Sequence, residues 1–160
     1  MLVRPATLED RDALWRIIEP VLRAGETYAL PRDWGKAEAL EHWMAPAHEV
    51  FVAELDGAVV GTYFIQANQR GGGAHVANCA YMTDARAAGR GVARAMCAHS
   101  LDHARSRDFA AMQFNFVVAT NERAVRLWQS FGFAIIGRMP AVFRHPTHGF
   151  VDALVMHRTL

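Results

Sequence analysis

The chain has 160 residues, the usual size of one domain, and 52% of them are hydrophobic, which is enough for a sizeable core. Its 17 basic and 16 acidic side chains give a net charge of +1, and no basic stripe with interleaved aromatics is present. We therefore expect a single domain over residues 1–160 and exclude DNA and RNA as main partners.

The first residues carry charges where a signal peptide needs an apolar stretch, and no apolar run approaches the length of a membrane span. These features predict a cytoplasmic protein without a membrane partner. Cys79 and Cys97 lack the spacing of a disulfide framework or a zinc site, so we expect both to be small buried residues. His145, His148 and Asp152 stand in ordinary turn composition, and no metal is expected there.

The N-terminal third predicts one strand and two helices. Leu2 to Pro5 is typical of a short strand, and a helix from about Leu8 to Arg23 follows the capping pattern Thr7-Leu-Glu-Asp10. The segment 24–31 contains glycine and proline and breaks the helical periodicity. A second short helix then ends before Pro46.

The middle of the chain predicts a hairpin and a third strand. Val50–Leu55 and Ala58–Ile65 are apolar runs joined by Asp56-Gly57, a strong short-range hairpin signal. His75–Thr83 is typical of the next strand, and a buried stripe at helical spacing follows the glycines near residue 90.

The C-terminal part predicts one more helix between strands. Met112–Val118 alternates as a strand, and the helix that begins at Asn121 is stopped by Gly132. Strands near Phe133–Val142 and Phe150–Arg158 complete the chain. The element order β-α-α-β-β-β-α-β-α-β-β indicates a mixed sheet flanked by helices.

The segment Arg86-Ala-Ala-Gly89-Arg-Gly91 lies between a strand that ends at Thr83 and the start of a helix. Such a position collects free backbone N–H groups and the positive end of a helix dipole, which favours an anion. The glycines let the backbone approach a phosphate closely, and Arg86, Arg90 and Arg94 can add charge-assisted bonds. The pattern therefore predicts a pyrophosphate site, with a tight structural turn as the alternative.

The spacing of this loop separates it from two better-known phosphate motifs. A dinucleotide fingerprint needs Gly-x-Gly-x-x-Gly and a later acidic residue, and a P-loop needs Gly-Lys-Ser/Thr. Neither is present, so neither a dinucleotide nor ATP is favoured.

Two motifs resemble the GNAT superfamily of acetyl-CoA-dependent N-acetyltransferases. Its Arg/Gln-x-x-Gly-x-Gly/Ala motif is matched by Arg86, Gly89 and Gly91. Its Asn-x-x-Ala-x-x-Leu-Tyr-x-x-x-Gly-Phe stretch is similar to the segment from Asn121 to Phe133. The resemblance implies an α/β (α+β) fold with a mixed central sheet of about seven strands, about four helices, and splayed parallel strands that bind acyl-CoA.

The resemblance also implies a set of residues that bind acetyl-CoA, with no metal. Backbone groups of Met82 and Thr83 would hold the pantetheine arm, while Asn121 would hydrogen-bond the arm and Ala124 would leave room for it. The pyrophosphate would lie on Arg86, Gly89, Arg90, Gly91, Val92 and Ala93. Trp128 departs from the family, in which a tyrosine often protonates the leaving thiolate; an indole N–H cannot transfer that proton. Trp128 either hydrogen-bonds the sulfur or only packs.

Candidate residues for the acceptor side are weaker. The strand before the loop carries Asn78 and Tyr81 but no glutamate, and Asn115 lies in the middle of another apolar strand. A buried amide needs hydrogen-bond partners, from the fold or from a ligand, so we expect Asn78 and Asn115 to contact the substrate. Their setting resembles N-acetyltransferases of azetidine-2-carboxylate and related proline analogues. Glu26 is the remaining carboxylate candidate, with a solvated loop position as its alternative.

The sequence thus predicts an acyltransferase that transfers acetyl from acetyl-CoA to a small-molecule amine, an amino acid or proline analogue, by direct attack in a ternary complex. A non-catalytic acyl-CoA-binding or sensing domain and a protein or peptide N-acetyltransferase are the alternatives. Dimerisation through the final strands is common in that superfamily, so a homodimer is an arrangement that the resemblance implies.

Overall fold

A computed structural model describes all 160 residues, and its regular structure is one seven-stranded sheet with four helices. The strands are β1 (Leu2–Pro5), β2 (Glu49–Leu55), β3 (Ala58–Ala67), β4 (Val76–Thr83), β5 (Ala111–Val118), β6 (Ala134–His145) and β7 (Gly149–Thr159). The helices are α1 (Arg11–Ala24), α2 (Lys36–Trp43), α3 (Val92–Ser106) and α4 (Glu122–Ser130). The predicted element order is confirmed.

The sheet has the strand order β1-β2-β3-β4-β5-β7-β6, and β4 with β5 is its only parallel pair. That pair is short, because only Val76 with Ala111 and Ala77 with Met112 are in register. Beyond these residues the two strands separate, while β4 stays paired with β3 as far as Thr83. The splayed parallel strands that the sequence predicted are therefore present, and they open the middle of the sheet.

Helices cover both faces of the sheet and form two apolar clusters. On one face, Leu14 of α1 and Trp43 of α2 pack with Phe64 and Met82 of the sheet. On the other face, α3 and α4 pack against the sheet around Cys79 and its neighbours. Side chains alternate along a strand, so β4 presents its even-numbered residues to α1 and α2 and its odd-numbered residues to α3. No helix combines the length and the apolarity that crossing a bilayer requires.

Two elements differ in extent from the sequence prediction. Leu8–Asp10 is a single 3₁₀ turn, because the Asp10 carboxylate accepts the Thr7 N–H at 2.7 Å and holds the chain there; α1 begins after it. The strand β6 extends beyond Val142 through a bulge, at which Ala141 adopts a positive φ of 52° and donates its N–H to Asp152. Cys79 and Cys97 are buried and unpaired, as predicted.

The Arg4–Asp10 pair ties β1 to the start of α1 and yields a stability prediction. Both guanidinium N–H groups reach the carboxylate at 2.8 Å, and these bonds lower the pKa of Asp10 to about 2. The resulting stability is present above pH 4 and is lost as the pH falls through that folded-state pKa. We expect Asp10→Asn to lower the free energy of unfolding by about 2 kcal/mol at neutral pH. Urea unfolding at several pH values measures it.

The difference between the two proteins should shrink as the pH approaches 2 and vanish below it, where the wild-type carboxyl is protonated as well. Asp12→Asn is the matched control, because Asp12 pairs with Lys36 on the surface, where screening weakens the pair. An Asp10→Asn deficit that does not change with pH would contradict this account.

Candidate active site

The opening between β4 and β5 continues into a cleft of about 790 Å³ that is lined from both faces of the sheet. Most of the site residues predicted from the sequence lie in its wall. They are Asn78, Tyr81, Met82, Thr83, Gly89, Gly91, Val92, Ala93, Asn115, Asn121, Ala124 and Trp128. The side chains of Glu26, Arg86 and Arg90 are exposed and are not part of that wall.

Two side chains act on the backbone where the strands separate. Asn78 Nδ2 donates to the carbonyl oxygen of Gln113 at 2.9 Å. This hydrogen bond joins β4 to β5 one residue beyond the last pair of residues in register. The Tyr28 hydroxyl, from the loop between α1 and α2, donates to the carbonyl of Tyr81 at 2.6 Å. Further along, the edge of β4 that faces β5 has no strand partner, so its backbone groups are available to an extended ligand.

One end of the cleft is built for an anion. Gly89 and Gly91 have φ angles of 78° and 79°, a left-handed conformation that side chains disfavour. A Cβ at either position would meet no protein atom within 4 Å, so both glycines open onto free space. Their N–H groups have no partner in the protein, and the first turn of α3 adds further free N–H groups.

The two arginines of the glycine loop pair with acids outside the cleft wall. Arg86 donates its Nε and its backbone N–H to Asp84 at 3.0 and 2.9 Å, and these bonds lower the pKa of Asp84. Because Asp84 is buried, its hydrogen bonds with Arg86 hold the conformation of the glycine loop. Arg90 reaches Asp56 of the β2–β3 turn at 2.8 Å.

Three other arginines, Arg94, Arg123 and Arg126, do lie in the cleft wall. Arg94 contacts Ser130, and Arg126 pairs with Glu122, whereas Arg123 has no acidic partner. Arg123 was not predicted from the sequence. A cation in the first turn of a helix opposes the helix dipole, and that unfavourable position was the signal that could have revealed it.

Asn121 caps α4, since its Oδ1 accepts the N–H of Ala124 at 3.3 Å. The carboxamide nitrogen of Asn121 remains free beside the small side chain of Ala124, and both residues line the cleft. The second sequence motif therefore places a hydrogen-bond donor and a gap next to the opening between the strands.

Trp128 and Tyr81 form an aromatic wall. Their rings lie 4.9 Å apart, and Phe114 is 5.1 Å from the indole. Trp128 is only 8% exposed, as a packing residue would be. The Tyr81 hydroxyl points to Ser100 of α3 at 2.7 Å, and burial raises its pKa well above the usual value, so it keeps its proton at neutral pH.

The expectation that Asn115 is buried is wrong. β5 has a bulge between Phe114 and Val117, which exposes Asn115 and Phe116 together at the cleft. Asn115 Nδ2 donates to Asn68 Oδ1 at 2.6 Å, and its Oδ1 accepts from the Gln113 side chain at 3.0 Å. The amide is thus held in a surface network.

The end of the cleft away from the glycines is mostly apolar. Tyr28 and Leu30 of the α1–α2 loop, His42 and Trp43 of α2, and Phe64 of β3 line it. No aspartate or glutamate side chain lines any part of the cleft. His42 was not predicted from the sequence, because its helix carried no recognisable motif. Burial, followed by the repulsion of nearby His48, lowers its pKa below the usual value near 6.5.

A splayed parallel strand pair, a glycine loop at a helix start and an aromatic cleft together define an acyltransferase fold and site. Residues 12–133 match the Acetyltransferase (GNAT) family, and the chain belongs to that family. A structure of a GCN5-related N-acetyltransferase from Kribbella flavida is 44% identical with a TM-score of 0.94, covering 99% of this chain and 97% of that one.

Two further proteins are similar, one in sequence and one in fold. The N-acetyltransferase aca1 of Schizosaccharomyces pombe is 28% identical over 119 residues, which are 72% of this chain and 57% of that protein. The chain therefore spans little more than half of that relative's length. The protein yncA of Salmonella typhimurium, whose structure contains acetyl-CoA, shares the fold with a TM-score of 0.85, 22% identity, and coverage of 100% and 94%.

The Tyr28 hydrogen bond should fasten the α1–α2 loop over the cleft. We expect Tyr28→Phe to lower the free energy of unfolding by about 1 kcal/mol, since the Tyr81 carbonyl loses its donor while the ring still packs on Trp43. Amide hydrogen exchange should become faster in residues 26–35 and stay unchanged in α3. The control is Tyr63→Phe, which removes a hydroxyl bonded to His99 outside the cleft. Unchanged exchange in the loop of Tyr28→Phe would contradict the assignment.

Proposed function

We propose that the protein transfers the acetyl group of acetyl-CoA to the amine of a small amino acid, with proline analogues as the favoured class, by direct attack in a ternary complex. The observation that carries the proposal is the continuity of the cleft. It joins the free N–H groups near Gly89 and Gly91 to an apolar chamber edged by Asn78 and Asn115. The acetyl donor and the acceptor amine can therefore meet in one cleft.

The cofactor half of the proposal rests on charge and backbone geometry. A pyrophosphate fits the open face of the two left-handed glycines, where free N–H groups and the dipole of α3 converge. Arg123 supplies a cation without a partner in the same wall. The unpaired edge of β4, near Met82 and Thr83, suits the amide groups of a pantetheine arm. The family and the acetyl-CoA bound to yncA support the same cosubstrate.

The acceptor half rests on what lines the chamber. Asn78 and Asn115 each use one N–H of the amide nitrogen within the protein, so each keeps a second N–H for a substrate carboxylate. The rings of Trp43, Phe64 and Phe116 suit the methylene groups of a small ring. Without an acidic side chain in the wall, a polycation has no counter-charge there, which favours a zwitterionic amino acid over polyamines and basic peptides.

A thiol-release assay with acetyl-CoA and a panel of amines tests the function. Proline analogues and other small amino acids should be turned over with a higher kcat/KM than polyamines, aminoglycosides or a lysine peptide. Binding of acetyl-CoA without turnover of any amine would instead indicate a sensing domain. Preference for the peptide would indicate a protein N-acetyltransferase.

Gly89→Trp and Gly91→Trp should abolish acetyl-CoA binding in isothermal titration calorimetry, because the indole would fill the space proposed for the pyrophosphate. Both variants should still fold, since no protein atom lies within 4 Å of the new Cβ, although the positive φ costs about 1–2 kcal/mol. Gly149→Trp is the matched control, with a φ of 70° and open surroundings at the start of β7. Full affinity in folded Gly89→Trp and Gly91→Trp would refute the pyrophosphate site.

Asn78→Ala and Asn115→Ala should each raise KM for the amino acid about tenfold or more, because the substrate carboxylate loses a donor while acetyl-CoA does not. Steady-state kinetics with each substrate varied separately measures this. Asn68→Ala, which removes a partner of Asn115 from outside the cleft wall, should have a smaller effect. Unchanged kinetics in both Asn78→Ala and Asn115→Ala would remove these residues from the acceptor site without touching the cofactor assignment.

A further inference from the structure

Resting on the proposed acetyl transfer, we propose that His42 is the group that takes the proton from the acceptor amine. The nitrogen of the amine attacks the thioester carbonyl carbon, a C–N bond forms, and the C–S bond breaks. The proton of the amine moves to the imidazole, and the CoA thiolate leaves. The imidazolium then returns its proton to solvent, and the thiolate takes one from solvent, so the products are the amide and free thiol.

The position of His42 places it on the acceptor side of the sheet. It lies in the last turn of α2, and its ring meets Phe64 edge-on at a centroid distance of 6.4 Å. Phe64 is paired with Ala80 in the next strand, and Ala80 is on the same face of β4 as Asn78. The imidazole therefore shares a chamber with the amide that is proposed to hold the substrate.

His42 is the one side chain of the cleft wall that suits proton transfer near neutral pH. The wall has no carboxylate. Its other titratable groups are arginines, the buried thiol of Cys79, and two tyrosines, Tyr28 and Tyr81, whose pKa values are raised by burial. His42 makes no side-chain hydrogen bond within the protein, so a ring nitrogen is available to an amine.

The other side of His42 offers a route for the proton. The residue also lines a shallow depression on the outer surface, together with Trp34, Glu38 and Glu41. Both glutamates are exposed. A proton accepted from the cleft can therefore be released toward exposed carboxylates and bulk solvent without crossing the acetyl-CoA site.

The groups that face the imidazole keep it neutral. His48, after α2, has its ring centroid 5.9 Å away, and its repulsion of an imidazolium adds to the effect of burial. Phe64 of β3 and Trp34 of the preceding loop present aromatic rings. Glu38 and Glu41 belong to α2 itself and lie toward solvent. The neutral, proton-accepting form therefore prevails at pH 7, and activity is lost as the pH falls through a pKa below 6.5.

The test is the pH dependence of kcat/KM for an amino acid that the wild-type protein turns over. In a plot of log kcat/KM against pH, the slope should be one between the pKa of His42 and the pKa of the amine. Below the pKa of His42 the slope should be two. In His42→Gln the steeper limb should disappear and kcat should fall about 100-fold or more, with KM for acetyl-CoA within about threefold. Imidazole added to His42→Ala should restore part of the rate.

His48→Gln is the matched control, because His48 is a neighbouring imidazole that does not line the cleft. His48→Gln should keep the limb of slope two. The pH at which that limb begins should be higher, because the charge repulsion between His48 and the His42 imidazolium is removed. A wild-type profile without the steep limb, or His42→Gln at full rate, would overturn the role of His42 while the acetyl transfer stands. Failure of wild-type protein to turn over any amine, with acetyl-CoA bound, would overturn the transfer itself. The pH profile of the wild-type protein tests the role of His42 even if the variants do not fold.

Discussion

The fold depends on one interruption: β4 and β5 pair for only two residues and then part. An unpaired strand edge inside a sheet is costly, because each buried N–H and C=O needs a partner. Two side chains supply partners at this edge: Asn78 donates to the carbonyl of Gln113, and Tyr28 donates to the carbonyl of Tyr81. The backbone groups of β4 further along, as far as Thr83, are left for a ligand. The opening is therefore a built feature, held by side chains from both sides.

The same opening divides the cleft by charge. The end near the glycine loop collects free N–H groups, the dipole of α3 and cleft-lining arginines, while the other end is aromatic and has one histidine. This division favours the proposed arrangement, with the anionic cosubstrate at one end and the zwitterionic acceptor at the other. The acidic partners of Arg86 and Arg90 lie outside the cleft, so they do not oppose an anion within it.

Local signals in the sequence predict the fold well and the backbone of the glycine loop almost as well. Glycines at 89 and 91 are required by positive φ, and the Asn121 cap is set by its own helix, so neighbouring residues carry that information. The acceptor end depends on distant packing. His42 enters the cleft because α2 lies on β3, and Asn115 is exposed because of a bulge against β7. No periodicity in the sequence encodes either event, which is why His42 was missed and the burial of Asn115 was mispredicted.

The proposed role of His42 also bears on Trp128, which stands where the family resemblance implies a tyrosine that protonates the leaving thiolate. A thiol has a pKa of about 8.5, so expelling CoA as a thiolate at pH 7 costs only about 2 kcal/mol relative to the thiol. An alkylamine has a pKa of about 10.4, so freeing its lone pair at pH 7 costs about 4.6 kcal/mol. Proton removal from nitrogen is therefore the larger of the two demands, and a further N–H proton must leave once the C–N bond has formed. In the proposed site, His42 would lie beside the acceptor amine and Trp128 would only pack, so the one group that titrates near neutral pH would serve the amine rather than the thiolate.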